Sequence, residues 1–246
     1  NPEWQLRRMC AYAAQVDRMD QGIGRLLEAL RETGVLDDTL IIFLSDNGAS
    51  SEELPKGELE QFRRRSDIVR LTTRDGRPVQ IGNLPGVPPG AEDTYASYGQ
   101  AWANLSNTPF RYYKRWVHEG GIATPFIMHW PAGGLRGGVV HHPFQLVDVL
   151  PTVLEATGTS SPTEFRGRAL IPLEGRSMLP ALRGEPMEDA TLFWEHTGNC
   201  AVRHGRWKLV RAHPDSWELY DLNVDRAETR DVAGEYPGVV ARLVDA

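Results

Sequence analysis

Two oxygen-bearing side chains, Asp46 and Asn47, close the segment Thr39-Leu-Ile-Ile-Phe-Leu-Ser-Asp-Asn-Gly48, directly after a run of apolar residues. A carboxylate beside an amide oxygen is a donor pair for a hard cation such as Ca²⁺ or Mg²⁺, which bind oxygen in preference to nitrogen or sulfur. The position suits such a role, because in open parallel sheets the ligand crevice lies beyond the carboxyl ends of the strands. Asp, Asn and Gly are equally the residues that turns prefer. Taken alone, the tripeptide reads as well as a turn as it does as a metal site.

A second segment shifts that balance. It runs Asn107-Thr-Pro-Phe-Arg-Tyr-Tyr-Lys-Arg-Trp-Val-His-Glu-Gly-Gly-Ile-Ala-Thr-Pro-Phe-Ile-Met-His-Trp-Pro131. With the first segment it resembles the type I, formylglycine-dependent sulfatases (arylsulfatases) of the alkaline phosphatase superfamily. The likeness extends through Val147-Asp-Val-Leu-Pro-Thr152, Pro172-Leu-Glu-Gly-Arg-Ser177, Leu192-Phe-Trp-Glu-His196 and Arg206-Trp-Lys-Leu-Val210. In that family a strand ending Ser-Asp-Asn-Gly gives two ligands to a catalytic Ca²⁺, and an Arg-x-x-Lys before Glu-Gly-Gly gives a lysine that grips sulfate. The resemblance therefore implies Asp46 and Asn47 as metal ligands, with Asp46 also facing the nucleophile, and Lys114 as the sulfate contact.

Two family features have no counterpart in these residues: the Cys-x-Pro-x-Arg or Ser-x-Pro-x-Arg motif whose Cys or Ser becomes formylglycine, and the N-terminal Asp-Asp pair that completes the metal site. Cys10 and Cys200 lack proline and arginine at the required offsets and read as small hydrophobes. The expectation is thus a C-terminal half, with the nucleophile in a missing N-terminal half and this chain alone inactive. The resemblance also implies a periplasmic or secreted setting.

Sulfate ester hydrolysis builds negative charge on a group already anionic, so cations and a metal are the main help a protein can give. Lys114 fits as a compact point charge on a sulfate oxygen. Arg111 and Glu119 read as an ion pair holding the loop, and Gly120 with Gly121 as a tight backbone where a side chain would clash. His118 reads in two ways, as a proton donor to the leaving alcohol or as a packing residue. Trp194, His196 and Asn199 are candidates to line a substrate pocket, or else pack locally. Arginines at 63, 64, 65, 70, 74 and 77 make one loop basic, which suits an anionic substrate or simply a solvated surface.

Three functions fit: a sulfatase acting on a sulfated small molecule or sugar, a phosphoester hydrolase of the same superfamily, or a non-catalytic homologue. Asn47 favours the first over the second, since two-zinc relatives place histidine there and imidazole suits zinc.

The elements that must carry these groups follow from periodicity. Residues 4–32 have Met9, Val16, Met19, Ile23, Leu26 and Leu30 near one helical stripe, ended by Thr33-Gly34. Residues 40–44 are an Ile-rich run that predicts a buried parallel strand, and residues 124–129 predict a second buried strand. Residues 50–99 lack periodicity and predict a long loop. Residues 143–157 predict a helix that Pro151 kinks or splits, and residues from 190 onward predict short antiparallel strands before a terminal helix at 236–246. The fold class expected is α/β, a partial alkaline-phosphatase-like sandwich (residues 1–186) with a small C-terminal antiparallel-sheet subdomain (residues 187–246).

Composition narrows the partners. With 246 residues, a net charge of −6 and 24% charged side chains, the chain is no general basic-field binder of nucleic acid. No run of 18 apolar residues occurs, so no membrane span is expected in this chain. Two cysteines make no disulfide framework.

Overall fold

The computed structural model describes residues 1–54 and 69–246; Arg63, Arg64 and Arg65 lie outside the described residues. Contacts within the chain gather into two compact units. One comprises Asn1–Ala29, Asn47–Ala123 and Asp225–Thr229, and the other Leu30–Asp46, Thr124–Val224 and Arg230–Ala246.

Helix α1 spans Pro2–Glu32, and most of it belongs to the first unit. Its buried residues are Trp4 and Arg8. The Trp4 indole donates to Val87 O at 3.0 Å, and Arg8 donates to Ser97 O at 2.8 Å while pairing with Glu53 at 3.1 Å. A buried guanidinium is tolerated because a carboxylate and a carbonyl satisfy it. The apolar stripe farther along the helix remains open to solvent, with Val16, Met19 and Leu26 at 41%, 49% and 63% exposure.

The long connection between residues 69 and 98 is not wholly irregular. Strands β2 (Gln80–Ile81) and β3 (Thr94–Tyr95) pair in parallel. Arg74 meets Glu92, and Arg77 meets both Asp75 and Asp93, so part of the basic loop is neutralised by its own acids. Helix α2 (Gly99–Ser106) follows, with Ala103 fully buried. The loop after it runs into the short helix α3 (Glu119–Ile122).

In the second unit, β1 (Ile41–Leu44) pairs with β4 (Phe126–His129) in antiparallel register, Ile41 opposite His129 and Leu44 opposite Phe126. This corrects the expectation of a parallel strand. A run of Ile, Phe and Leu encodes apolar faces, and nothing in it encodes the direction of the neighbour. The expected burial of the second strand is corrected too, because Phe126 and Ile127 are 39% and 60% exposed.

Pro151 acts as anticipated from its missing N–H. A 3₁₀ turn (Leu146–Asp148) precedes helix α4 (Val149–Ala156), and the proline stands in the first turn of α4, where no intrahelical donor is needed. Buried Asp148 holds this junction, accepting from Gln145 N and Arg176 N at 2.8 Å each. The hairpin β5 (Glu164–Phe165) and β6 (Arg168–Ala169) and the helix α5 (Leu179–Leu182) lead to the C-terminal sheet.

That sheet is a four-stranded antiparallel meander: β7 (Thr191–His196), β8 (Asn199–His204), β9 (Trp207–Arg211) and β10 (Glu218–Asp221), in the order β10-β9-β8-β7. Alternation selects Val202, Leu209 and Leu219 for one face, and helix α6 (Pro237–Val244) lays Leu243 against them. Each fully buried leucine stabilises by about 1.5–3 kcal/mol relative to exposure, so this small layer has a core of its own. Among the described residues no helix is long and apolar enough to cross a membrane.

Candidate functional site

The site grows from a backbone requirement. Gly48 N–H donates to Gly121 O at 2.9 Å, and Lys114 N–H donates to Ala49 O at 3.0 Å, so the turn after Asn47 and the loop bearing Lys114 are hydrogen-bonded main chain to main chain. Asn107 adds two stitches, accepting from Ala49 N at 3.1 Å and donating to Tyr112 O at 3.0 Å. The approach is so close that only glycine fits. A Cβ on Gly48 would lie 1.9 Å from Gly120 O, one on Gly120 2.2 Å from Tyr112 O, and one on Gly121 1.9 Å from Trp116 O. The expectation of a tight backbone at Gly120 and Gly121 thus has its physical cause in neighbouring carbonyls.

The loop between these anchors turns sharply. Tyr112 and Arg115 both adopt positive φ, 66° and 92°, conformations that cost a side-chain-bearing residue of order 1–3 kcal/mol and survive where the surroundings enforce them. The Tyr112 ring stacks on Trp116 at 4.6 Å and meets the His118 ring edge-on at 4.8 Å. Arg111 lies over the same tyrosine at 4.7 Å.

Within this frame, the Lys114 side chain stays 41% exposed, with its ammonium 3.5 Å from the Glu52 carboxylate. His118 is fully buried, as are Glu119 and the two glycines that follow, to within a few per cent. The Trp116 ring also faces His118 edge-on, at 6.5 Å. Asn47 is half-buried and its amide nitrogen donates to Gly48 O at 2.9 Å. Asp46, exposed, ends the strand segment of the second unit and is bonded in sequence to Asn47. Among the described residues no group of three or more His, Cys, Asp or Glu converges as a metal cluster.

Two residues that sequence reasoning passed over reach this loop from far downstream. Glu228 Oε2 accepts the Glu119 N–H at 2.7 Å, and Arg226 Nε meets Glu119 Oε2 at 3.3 Å. Nothing local marks them, since they stand more than a hundred residues away in a polar turn. The pocket candidates in the C-terminal sheet have local partners in the second unit. Asn199 accepts from His213 N at 2.9 Å, and the Trp194 ring faces the buried Lys208 ammonium at 6.0 Å.

The chain is 31% identical over 99% of its length to an uncharacterized sulfatase of Schizosaccharomyces pombe, of which it spans 43%. It is 31% identical over 69% of its length to an arylsulfatase of Klebsiella aerogenes, of which it spans 34%. The chain therefore covers less than half of these relatives. In structure it resembles the crystal structure of Ps i-CgsB with a TM-score of 0.65 at 23% identity, over 95% of this chain and 41% of that one. The fold is α/β, part of an alkaline-phosphatase-like sandwich, with a four-stranded antiparallel sheet toward its C-terminus. The family model described as N-sulphoglucosamine sulphohydrolase, C-terminal, matches residues 110–244, and the model described as Sulfatase matches residues 1–159. On that match, which takes in both Asp46-Asn47-Gly48 and the Lys114 loop, the chain belongs to the sulfatase family.

Proposed function

We propose that this chain supplies the sulfate-gripping part of a sulfuric ester hydrolase, which converts the sulfate ester of a phenol, an alcohol or a sugar to the free hydroxyl and sulfate. The observation that carries the reading is the main-chain interlock of Gly48 with Gly121 and of Ala49 with Lys114. It ties Gly48 and Ala49, which follow Asn47, to the lysine loop, and preorganised charge is the effect on which such a reaction leans.

In this reading Lys114 holds a sulfate oxygen as a point charge, and its partial exposure leaves the ammonium within reach of an incoming anion. Asp46 and Asn47 hold a Ca²⁺, which when bound places positive charge on the sulfate oxygens. The donors fit a hard cation in kind, a carboxylate and an amide oxygen. They are two of the roughly six to eight oxygens that Ca²⁺ takes, so the rest come from water, substrate or parts of the intact protein beyond these residues. The nucleophile, formylglycine by family resemblance, comes from beyond them as well. His118, fully buried and edge-on to the Tyr112 ring, serves by supporting the loop. A sulfated sugar is the favoured substrate class, because the family description matched over residues 110–244 is N-sulphoglucosamine sulphohydrolase, C-terminal, which names a sugar carrying its sulfo group on nitrogen. A periplasmic or secreted location accords with such substrates.

The test is hydrolysis of a chromogenic aryl sulfate and of glucosamine sulfates by the intact protein, with Ca²⁺ and with a chelator. Lys114→Ala is expected to lower kcat/KM by about 10²–10³, the usual cost of removing one electrostatic stabiliser, and Asp46→Ala to abolish the response to Ca²⁺. Turnover of phosphate esters alone, or an unchanged Lys114→Ala variant, would reject the reading.

A further inference from the structure

We infer that the turn formed by Asp225–Thr229 is a remote clamp on the Lys114 loop, with Glu228 and Arg226 acting as positioning residues for Lys114. This rests on the sulfatase reading only for its kinetic consequence; the clamp itself stands on geometry. The turn is closed on itself. The Asp225 carboxylate accepts both the Thr229 N–H and the Thr229 hydroxyl at 2.9 Å, and Glu228 N–H donates to Asp225 O at 3.2 Å. Glu228 adopts a φ of 57°, a left-handed conformation that side-chain-bearing residues hold when their surroundings require it.

What this conformation achieves is delivery of a carboxylate into the interior. Glu228 is 1% exposed, and its Oε2 accepts the Glu119 N–H at 2.7 Å, a donor that the short helix α3 leaves without a partner inside the helix. Arg226 then engages the same residue through its side chain, Nε to Glu119 Oε2 at 3.3 Å, and stacks over Phe110 at 5.0 Å. The clamp thus grips Phe110 at one end of the loop and Glu119 at the other, with Lys114 and His118 between. Two strained residues, Tyr112 and Arg115, lie in the same span. A loop that stores strain relaxes when an end is released, so its anchors determine where the lysine points.

Burying a carboxylate is costly unless hydrogen bonds compensate. A surface turn with no positioning task has no need of one, and its neighbour Thr229 closes the turn without it. The Glu228 carboxylate therefore acts at Glu119.

The experiment uses the intact protein with Glu228→Ala, Glu228→Gln and Arg226→Met, read by amide hydrogen exchange and by aryl sulfate kinetics. Gln keeps an acceptor oxygen for Glu119 N–H, and Met keeps the contact with Phe110 without the charge. Glu228→Ala is expected to speed exchange in residues 111–121 by tenfold to a hundredfold, the loss of one charge-assisted buried hydrogen bond, while residues 207–211 exchange as before. Glu228→Gln restores the slow exchange, and Arg226→Met falls between the two. In kinetics, Glu228→Ala lowers kcat with little change in KM, and adds nothing further to a Lys114→Ala variant. Unchanged exchange in residues 111–121 overturns the clamp. Additive losses in the double variant overturn its action through Lys114. Should Glu228→Ala fail to fold, the exchange of Arg226→Met decides in its place. If the wild type turns over no sulfate ester, the sulfatase reading falls, and the exchange measurement still decides the clamp.

Discussion

Gly121→Ala should be among the most damaging single-methyl additions in this protein. The new Cβ would stand 1.9 Å from Trp116 O and 2.8 Å from Trp116 C, where ordinary Cβ contacts stay beyond 3.0 Å. The obstacle is main chain, so no rotamer change relieves it; one backbone must retreat by about 1 Å in an interior packed like an organic crystal. Overpacking of this kind costs about 1–3 kcal/mol. The retreat also breaks Gly48 N–H to Gly121 O, a net loss of about 0.5–1.5 kcal/mol. Together the destabilisation is about 2–4 kcal/mol, set against Gly24→Ala, whose methyl meets nothing within 4 Å on the exposed face of α1 and which stabilises a helix by about 0.5–1 kcal/mol. Urea unfolding of the intact protein, with hydrogen exchange over residues 111–121 to catch local opening, measures both variants. If Gly121→Ala stays within about 1 kcal/mol of its parent by both readouts, the low end of the overpacking cost, the close main-chain approach that builds the site is wrong.

Three further outcomes are expected. Glu52→Gln frees Lys114 from an exposed ion pair worth about 0–1 kcal/mol, so the KM for an aryl sulfate should fall by no more than about fivefold, with the difference vanishing in high salt; a larger effect would mean that Glu52 touches substrate. Burial, and then the nearby Arg176 guanidinium, depress the pKa of His142 below its ordinary value. A depressed histidine favours the folded state fully above the ordinary histidine range and loses that contribution as pH falls from there through the folded pKa. His142→Gln should therefore flatten the decline of unfolding free energy between neutral and mildly acidic pH, and an unchanged slope would refute the assignment. For His118→Gln, rate losses that are equal for aryl sulfates with good and poor leaving groups identify a supporting residue, whereas losses that grow as the leaving group worsens identify a general acid.

The elements were legible in proportion to how local their causes are. The C-terminal strands follow from alternation and turn residues, and β9, Trp207–Arg211, is one of the short antiparallel strands expected from residue 190 onward. The split at Pro151 follows from a missing N–H. The direction of β1 against β4 depends on a partner some eighty residues away, and the Ile-Ile-Phe-Leu run carries no trace of it. The basic loop misleads for a similar reason. Counting arginines registers charge, but Asp75, Glu92 and Asp93 cancel part of it through pairings that composition does not reveal.

The site divides along the same line. Lys114, Glu119, Gly120 and Gly121 lie within eight residues of one another, so their types and spacing expose a loop built around a lysine. What holds that loop is written elsewhere, in Asn47–Ala49 on one side and in Arg226 and Glu228 on the other. The first partner is discoverable because glycine at a crowded position leaves a mark in sequence. The second is not, because an acidic residue in a polar turn looks like any solvated turn until its burial is known. Charge that contacts substrate must be displayed, and it therefore clusters into motifs. Charge that only positions other groups can come from any part of the chain that passes behind them, which is why a buried Glu228 says more about the Lys114 loop than its sequence neighbours do.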